Sequence, residues 1–176
     1  QKVTELYAEI GRLTTQVNTE QDWLKTHLAR FTRMLQGHRE LVPVSRLILS
    51  ELAPLVGAQQ AVFYLAGDPG PAAHLELLTS YAHRRSKQLP RKLAFGEGLV
   101  GQCAVDKRRL LLVDVPGDCL SISSALVSAP PVNVVVLPVL FEENIKAVIE
   151  LASLSRFSEV HLTFLDQLTD SIGVVL

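Results

Sequence analysis

Apolar residues return every three or four positions along the start of the chain: Val3, Leu6, Ile10, Leu13 and Val17, then the polar Glu20, Leu24, the polar His27, Phe31 and Met34. Strict alternation of three and four is the a/d signature of a coiled-coil seam, and it predicts one long helix. At about 1.5 Å per residue such a helix spans roughly 50 Å, more than a domain of this size can bury. The expectation is a helix that projects and pairs with a second copy of itself. The alternative is an amphipathic helix folded back on its own domain. Glu20 and His27 interrupt the seam, which costs stability but can fix register. With Thr14, Gln16, Asn18, Thr19, Gln21 and Asp22 they also make the middle of the helix its softest part, or a break between two shorter helices. Leu13→Asp and Phe31→Asp are expected to break the pairing, and Glu20→Leu to tighten it.

Beyond Gly37, the positions Val44, Leu47, Ile48, Leu52, Leu55 and Val56 keep helical spacing, with Pro43 suited to the start and Gly57 to the stop. Residues 61–65 (AVFYL) and 74–81 (HLELLTSY) read as two strands of a hairpin across the turn cluster 67–71. A short helix follows at 99–105 and a third strand at 110–113. Residues 132–140 (VNVVVLPVL) form a β-branched strand in which Pro138 removes one donor, implying a bulge or an open ladder. Residues 145–151 alternate, with Ile145, Ala147, Ile149 and Leu151 facing one way and Lys146, Val148 and Glu150 the other. A polar turn at 142–144 joins these two strands into another hairpin. The last helix starts at Ser158, a natural N-cap, with Phe157 and Leu162 at staple positions. Its Leu165, Leu168, Ile172 and Val175 step by three and four, as if continuing a seam. Helices at the chain ends and strands paired as hairpins predict an α+β fold, an antiparallel sheet with the terminal helices packed on one face.

Composition narrows the function classes. The chain has 176 residues, 48% of them hydrophobic, enough for one domain with a real core plus an extension. The formal charge of −1 gives no bulk attraction to nucleic acid or to an anionic membrane. No run approaches the ~20 apolar residues needed to cross a bilayer. Two cysteines, Cys103 and Cys119, do not make a disulfide framework, and a reducing cytoplasm is the simpler setting. The sequence opens on Gln1 and closes on Leu176 inside an apolar helical pattern, so the expectation is a fragment of a longer protein. The basic stretch 84–92 has no interleaved aromatic platform and reads as a solvated loop.

Gly96, Gly98 and Gly101 spell G-x-G-x-x-G, and Asp114 and Asp118 lie near the distance of a ribose-binding acid. A dinucleotide site needs a hydrophobic strand directly before the first Gly, within a βαβ unit. The preceding SKQLPRKLAF is basic and carries Pro90. The glycines therefore shape a tight turn into a short helix.

The stretches PVSRLILSELAPLVGAQQAVFYL, FGEGLVGQCA, LLLVDVPGD, VNVVVLPVLFEENIKAVIELAS and FSEVHLTFLDQL, in that order, resemble the GAF family over residues 38–157. The flanking segments, 1–37 and 158–176, look like the signalling helices that join GAF domains to neighbours in bacterial sensor histidine kinases. The resemblance implies a five- or six-stranded antiparallel sheet, terminal helices on one face and often in a dimer interface, and a small-ligand pocket on the other. By that analogy residues 114–131 would roof the pocket, with Tyr64, Asp114, Cys119, Ser121 and Ser123 as candidate ligand contacts. The dimer seam would comprise Val3, Leu6, Ile10, Leu13, Val17, Leu24, Phe31, Leu165, Leu168 and Ile172.

The Asn-Lys-Phe-Asp-Glu signature of cyclic-nucleotide-binding members is missing. Cys119 is followed by Leu120 rather than the His usual at bilin attachment. His27, His38, His74, His83 and His161 are scattered, with no i, i+4 pair, and read as surface groups rather than haem or metal ligands. No cofactor is expected, though an unknown small molecule has a place. The main expectation is a non-catalytic sensory and dimerisation domain relaying a signal to a kinase or other output domain in cis, in a cytoplasmic two-component system. A regulatory domain with an essential ligand is the second reading. A free methionine sulfoxide reductase using Cys119 is the third.

Overall fold

The computed structural model describes residues 2–37, 40–82, 89–116 and 132–176. Four helices and six strands follow in the order α1 (Lys2–Gln36), α2 (Leu41–Leu55), β1 (Gln60–Ala66), β2 (His74–Tyr81), β3 (Lys92–Ala94), α3 (Gly98–Asp106), β4 (Leu110–Val115), β5 (Val132–Phe141), β6 (Asn144–Ser153) and α4 (Glu159–Val175). The strands form one antiparallel sheet in the order β3-β2-β1-β6-β5-β4. Helices α1, α2 and α4 cover one face, and α3 packs on the other. This is the expected α+β architecture, with β3 an added edge strand of three residues.

The period-2 pattern decides both cores. On the helix face lie Ala61 and Phe63 of β1, Val135, Leu137 and Val139 of β5, and Ala147, Ile149 and Leu151 of β6. On the α3 face lie Val62 and Tyr64, Val134 and Val136, and Val148 and Ala152. Because β1, β6 and β5 are central and covered on both sides, both sets are buried. The expected alternation in β6 holds from residue 147 onward. Ile145 instead packs with the α3-side cluster, because the register with β5 jumps from Val139↔Ala147 to Leu140↔Ile145. The extra residue is a bulge, and it flips everything before it to the other face. Pro138 itself stays in register opposite Val148, one step from that bulge.

Helix α1 runs unbroken for 35 residues. Its polar middle is intact, and the Thr15 and Thr19 hydroxyls donate back to the Gly11 and Thr15 carbonyls. Residues 2–22 are all exposed, a projecting length of about 30 Å at 1.5 Å per residue. The lower third is anchored: Phe31 and Leu35 are buried, and Trp23, Leu24, Leu28 and Met34 pack against the same core.

The seam positions therefore divide. Val3, Leu6, Ile10, Leu13 and Val17 lie open, between 46% and 61% exposed. Phe31, Leu165, Leu168 and Ile172 are inside the chain's own core at 1% exposure or less, and Leu24 is half-buried there. Those residues hold the two terminal helices to one another and to the sheet, so Phe31→Asp would attack the fold itself.

Helix α4 begins as expected. Ser158 Oγ accepts from the His161 amide at 3.2 Å, and Phe157 and Leu162 both pack on the core. Farther along, Gly173 lies so close to β5 that a Cβ would overlap the Leu140 carbonyl oxygen.

Candidate functional site

The α3 side of the sheet contains the titratable groups that burial perturbs most. Tyr64, fully buried on β1, donates its hydroxyl proton to the Pro90 carbonyl at 2.8 Å. Cys103, buried on α3, donates its thiol to the Arg108 carbonyl at 3.3 Å. Glu150 lies mid-β6 on the same face, opposite Val62 on β1 and Val136 on β5, and is 3% exposed. Its Oε1 has no hydrogen-bond partner.

Burial pushes the Glu150 carboxyl from 4.5 up to about 8. Burial also raises the Tyr64 hydroxyl, with the Glu150 charge adding to the effect. The Cys103 thiol is pushed up to about 12, by burial first and then by the charges of Asp106 and Glu150. All three groups are thus neutral near pH 7 and gathered on one apolar surface. Glu150 was not among the sequence candidates. What marks it is position in the sheet, which the strand order shows and the sequence does not: a Glu in a central strand covered on both faces has no solvent side to point to.

The turn entering α3 is built by the glycines. Gly96 and Gly98 have φ of +92° and +66°, and a Cβ on Gly101 would stand 2.6 Å from the Ala94 carbonyl oxygen. The Gly96 amide donates to the Gly101 carbonyl at 2.8 Å, and Glu97 accepts from the Ala94 amide at 2.9 Å. The preceding strand β3 is a three-residue antiparallel edge, so no βαβ unit exists for a dinucleotide. The described end of the basic stretch is also occupied locally. Lys92 pairs with Glu76 at 3.6 Å, and the Pro90 and Arg91 carbonyls accept from Tyr64 and from the Leu77 amide.

Of the candidate ligand contacts, Tyr64 is on this face. Asp114 adopts φ +52°, its amide donates to Asn133 Oδ1 at 3.0 Å, and its carboxylate is engaged in an exposed ion pair with Arg156. It belongs to the irregularity between Leu112 and Val115 in the β4–β5 ladder. Cys119, Ser121 and Ser123 lie outside the described residues, as does most of the expected roof.

A second cluster lies where α1 meets α4. Trp23 is 4.5 Å from His27, 5.2 Å from His161 and 5.3 Å from Phe164, centroid to centroid. His27 Nδ1 is buried without a partner. Burial lowers both imidazoles, with Arg30 adding to the effect at His27 and His27 adding to it at His161. These two are junction residues rather than the surface groups expected. Among the described residues no group of three or more His, Cys, Asp or Glu is placed to hold a metal ion. No helix of the described residues is long and apolar enough to cross a membrane.

Residues 38–176 match the GAF domain family model. The chain belongs to the GAF domain family. Its fold is similar to the GAF domain of an Acinetobacter phosphoenolpyruvate-protein phosphotransferase, with a TM-score of 0.67 at 17% identity over 84% of this chain and 89% of that one. The corresponding GAF domain from Coxiella burnetii gives 0.69 at 15% identity, over 86% and 90%. A free methionine-R-sulfoxide reductase from Neisseria meningitidis, solved with its substrate, gives 0.66 at 18% identity, over 84% of each chain. At such identities the likeness is one of fold. Curated proteins include no match to this chain. A regulatory or sensory role follows from the GAF assignment at that level of detail.

Proposed function

We propose that this GAF domain is a non-catalytic sensory module that pairs with a second copy through α1 and relays a signal along its terminal helices to an output domain in cis. The observation that supports it is the division of α1. Its foot is fixed in the core by Phe31 and Leu35, while Val3, Leu6, Ile10, Leu13 and Val17 form an apolar stripe with no partner among the described residues. Solvating such a stripe is unfavourable, and a second copy offers the complementary surface. A change on the α3 face of the sheet would pass through β5 and β6 to α4 and so to the foot of α1. In this reading the output is the kinase of a cytoplasmic two-component system, which the signalling-helix pattern of both ends favours. Sedimentation equilibrium tests the pairing: a dimer is expected at micromolar concentration, and a monomer throughout the range would remove the basis of the relay.

Glu150 favours a second reading of the same domain, in which a small ligand on the α3 face is the signal. The reductase reading has less support. Cys103 is buried, held by Arg108 and pushed up to about 12, the reverse of an activated thiolate. It therefore rests on Cys119, and Cys119→Ser with an assay of sulfoxide reduction tests it.

A further inference from the structure

Glu150 is a buried carboxyl group whose Oε1 has no hydrogen-bond partner, and among the described residues no hydrogen bond reaches it. Tyr64 and Cys103, the polar neighbours whose titration it influences, have already given their protons to the Pro90 and Arg108 carbonyls. None of the ion pairs among the described residues includes Glu150. The wall around it is apolar: Val62, Val136, Val148 and Ala152 share its face of the sheet. An unpartnered carboxyl oxygen in such a place is unfavourable, whereas an apolar residue would pack there at no such cost. The chemistry that would complete the site is a hydrogen-bond donor from outside the described residues, preferably a charged one.

We propose that Glu150 anchors the nitrogen of a small organic cation, a primary ammonium or guanidinium on a short apolar body, bound on the α3 face of the sheet. This rests on the reading of the domain as a ligand-responsive sensor and names the class of ligand. The nitrogen donates to the Glu150 carboxylate, and the apolar body lies against the valine wall. With no basic residue among the described ones paired to Glu150, an anionic group is disfavoured there. The charges balance by proton release: the neutral acid gives its proton to solvent, and the resulting carboxylate pairs with the cation, which keeps all its own protons. Because burial holds Glu150 up at about 8, close to one proton leaves per chain at pH 7.

The test uses the whole chain and three probes of similar size: n-butylammonium, n-butanol and butyrate. Calorimetry at pH 7 in two buffers of different ionisation enthalpy gives both affinity and protons released. The expected result is binding of n-butylammonium at least tenfold tighter than n-butanol, with close to one proton released. Glu150→Gln, neutral and of the same shape, should weaken the ammonium at least tenfold and abolish the proton release without lowering the melting temperature. Equal affinity for ammonium and alcohol, an ammonium affinity unchanged in Glu150→Gln, or no binding of any probe would overturn the anchor. Butanol or butyrate binding without ammonium preference removes the anchor yet leaves a ligand-binding face. Loss of self-association in sedimentation, measured separately, would strike the relay and leave the anchor untouched.

Discussion

The ring of Phe31 on α1 meets that of Phe164 on α4 edge to face, with centroids 5.5 Å apart and planes at 68°. Both side chains are fully buried. The pair fastens the foot of a projecting helix to the helix that lies across β5, and Trp23 extends the same contact one step up α1. Phe164→Ala removes the ring contacts to Phe31, Trp23 and His27 and leaves a cavity, which for a buried Phe costs about 3–5 kcal/mol. Chemical denaturation should show that loss. Hydrogen exchange should show the amides around Trp23 to Leu35 losing protection before those of β5 and β6.

A second close contact holds α4 to the sheet. Gly173 is there because a Cβ would overlap the carbonyl oxygen of Leu140, and backbone cannot rotate aside as a side chain can. Gly173→Ala should destabilise the domain by about 1–3 kcal/mol, the usual range for forced overpacking, or by more if α4 lifts. Gly11→Ala, on the exposed part of α1 with nothing within 4 Å, should stabilise by up to about 1 kcal/mol through helix propensity. Urea melts of the two variants should move in opposite directions.

The sequence shows periods more readily than partners. Heptad-like spacing located α1 and α4 closely, but the same spacing describes a stripe facing a second copy and one facing the chain's own sheet. Phe31, Leu165, Leu168 and Ile172 turned out to be of the latter kind. Hairpin signals gave β1, β2, β5 and β6, whereas β3 is three residues long in a basic, Pro-bearing context and offers no period to read. The bulge after Val139 reversed Ile145, since one inserted residue leaves no mark in composition. Glu150 alternates in sequence like any polar strand residue, and only the six-strand order shows that its strand has no solvent face.

His27 and His161 make the α1–α4 junction sensitive to acid. Burial lowers both below the ordinary 6.5, so the folded chain prefers them neutral. The groups facing them are Arg30 beside His27, and each histidine opposite the other. Stability from neutral imidazoles is present above 6.5 and lost as pH falls below it, because the unfolded chain then binds more protons. The stability of His161→Gln relative to the native chain should therefore increase as pH falls from 6.5 to 5, whatever other groups do in both chains. A difference that stays constant over that window would assign the acid sensitivity elsewhere.

Along the open part of α1, Leu13 is 46% exposed within the stripe from Val3 to Val17. If that stripe is a seam, Leu13→Asp places an unpaired charge inside it, which costs about 3–5 kcal/mol. Sedimentation should then show the dissociation constant raised by at least tenfold, with the melting temperature of the core unchanged, since Leu13 touches nothing in it. Glu20→Leu, which replaces the polar interruption by an apolar side chain, should lower the same constant. An unaltered dimer after Leu13→Asp would move the interface off this stripe.

Glu150 sets the sign of a second pH dependence, opposite to that of the histidines. An unfolded Glu ionises near 4.5, while in the folded domain burial delays ionisation to about 8. Between those values the folded chain holds a proton that the unfolded chain has lost, so stability falls as pH rises. The slope is up to about 1.4 kcal/mol per pH unit for one group, reached in the middle of the window. Below 4.5 both states are protonated and the penalty vanishes; above 8 both are ionised and it is complete. Glu150→Gln is neutral throughout, so its advantage over the native chain should be small at pH 4.5 and grow steadily to pH 8. Urea denaturation at half-unit intervals measures that difference directly. A constant difference across the window would mean that the carboxyl ionises in the folded state as freely as in water, and the unpartnered oxygen would need another explanation.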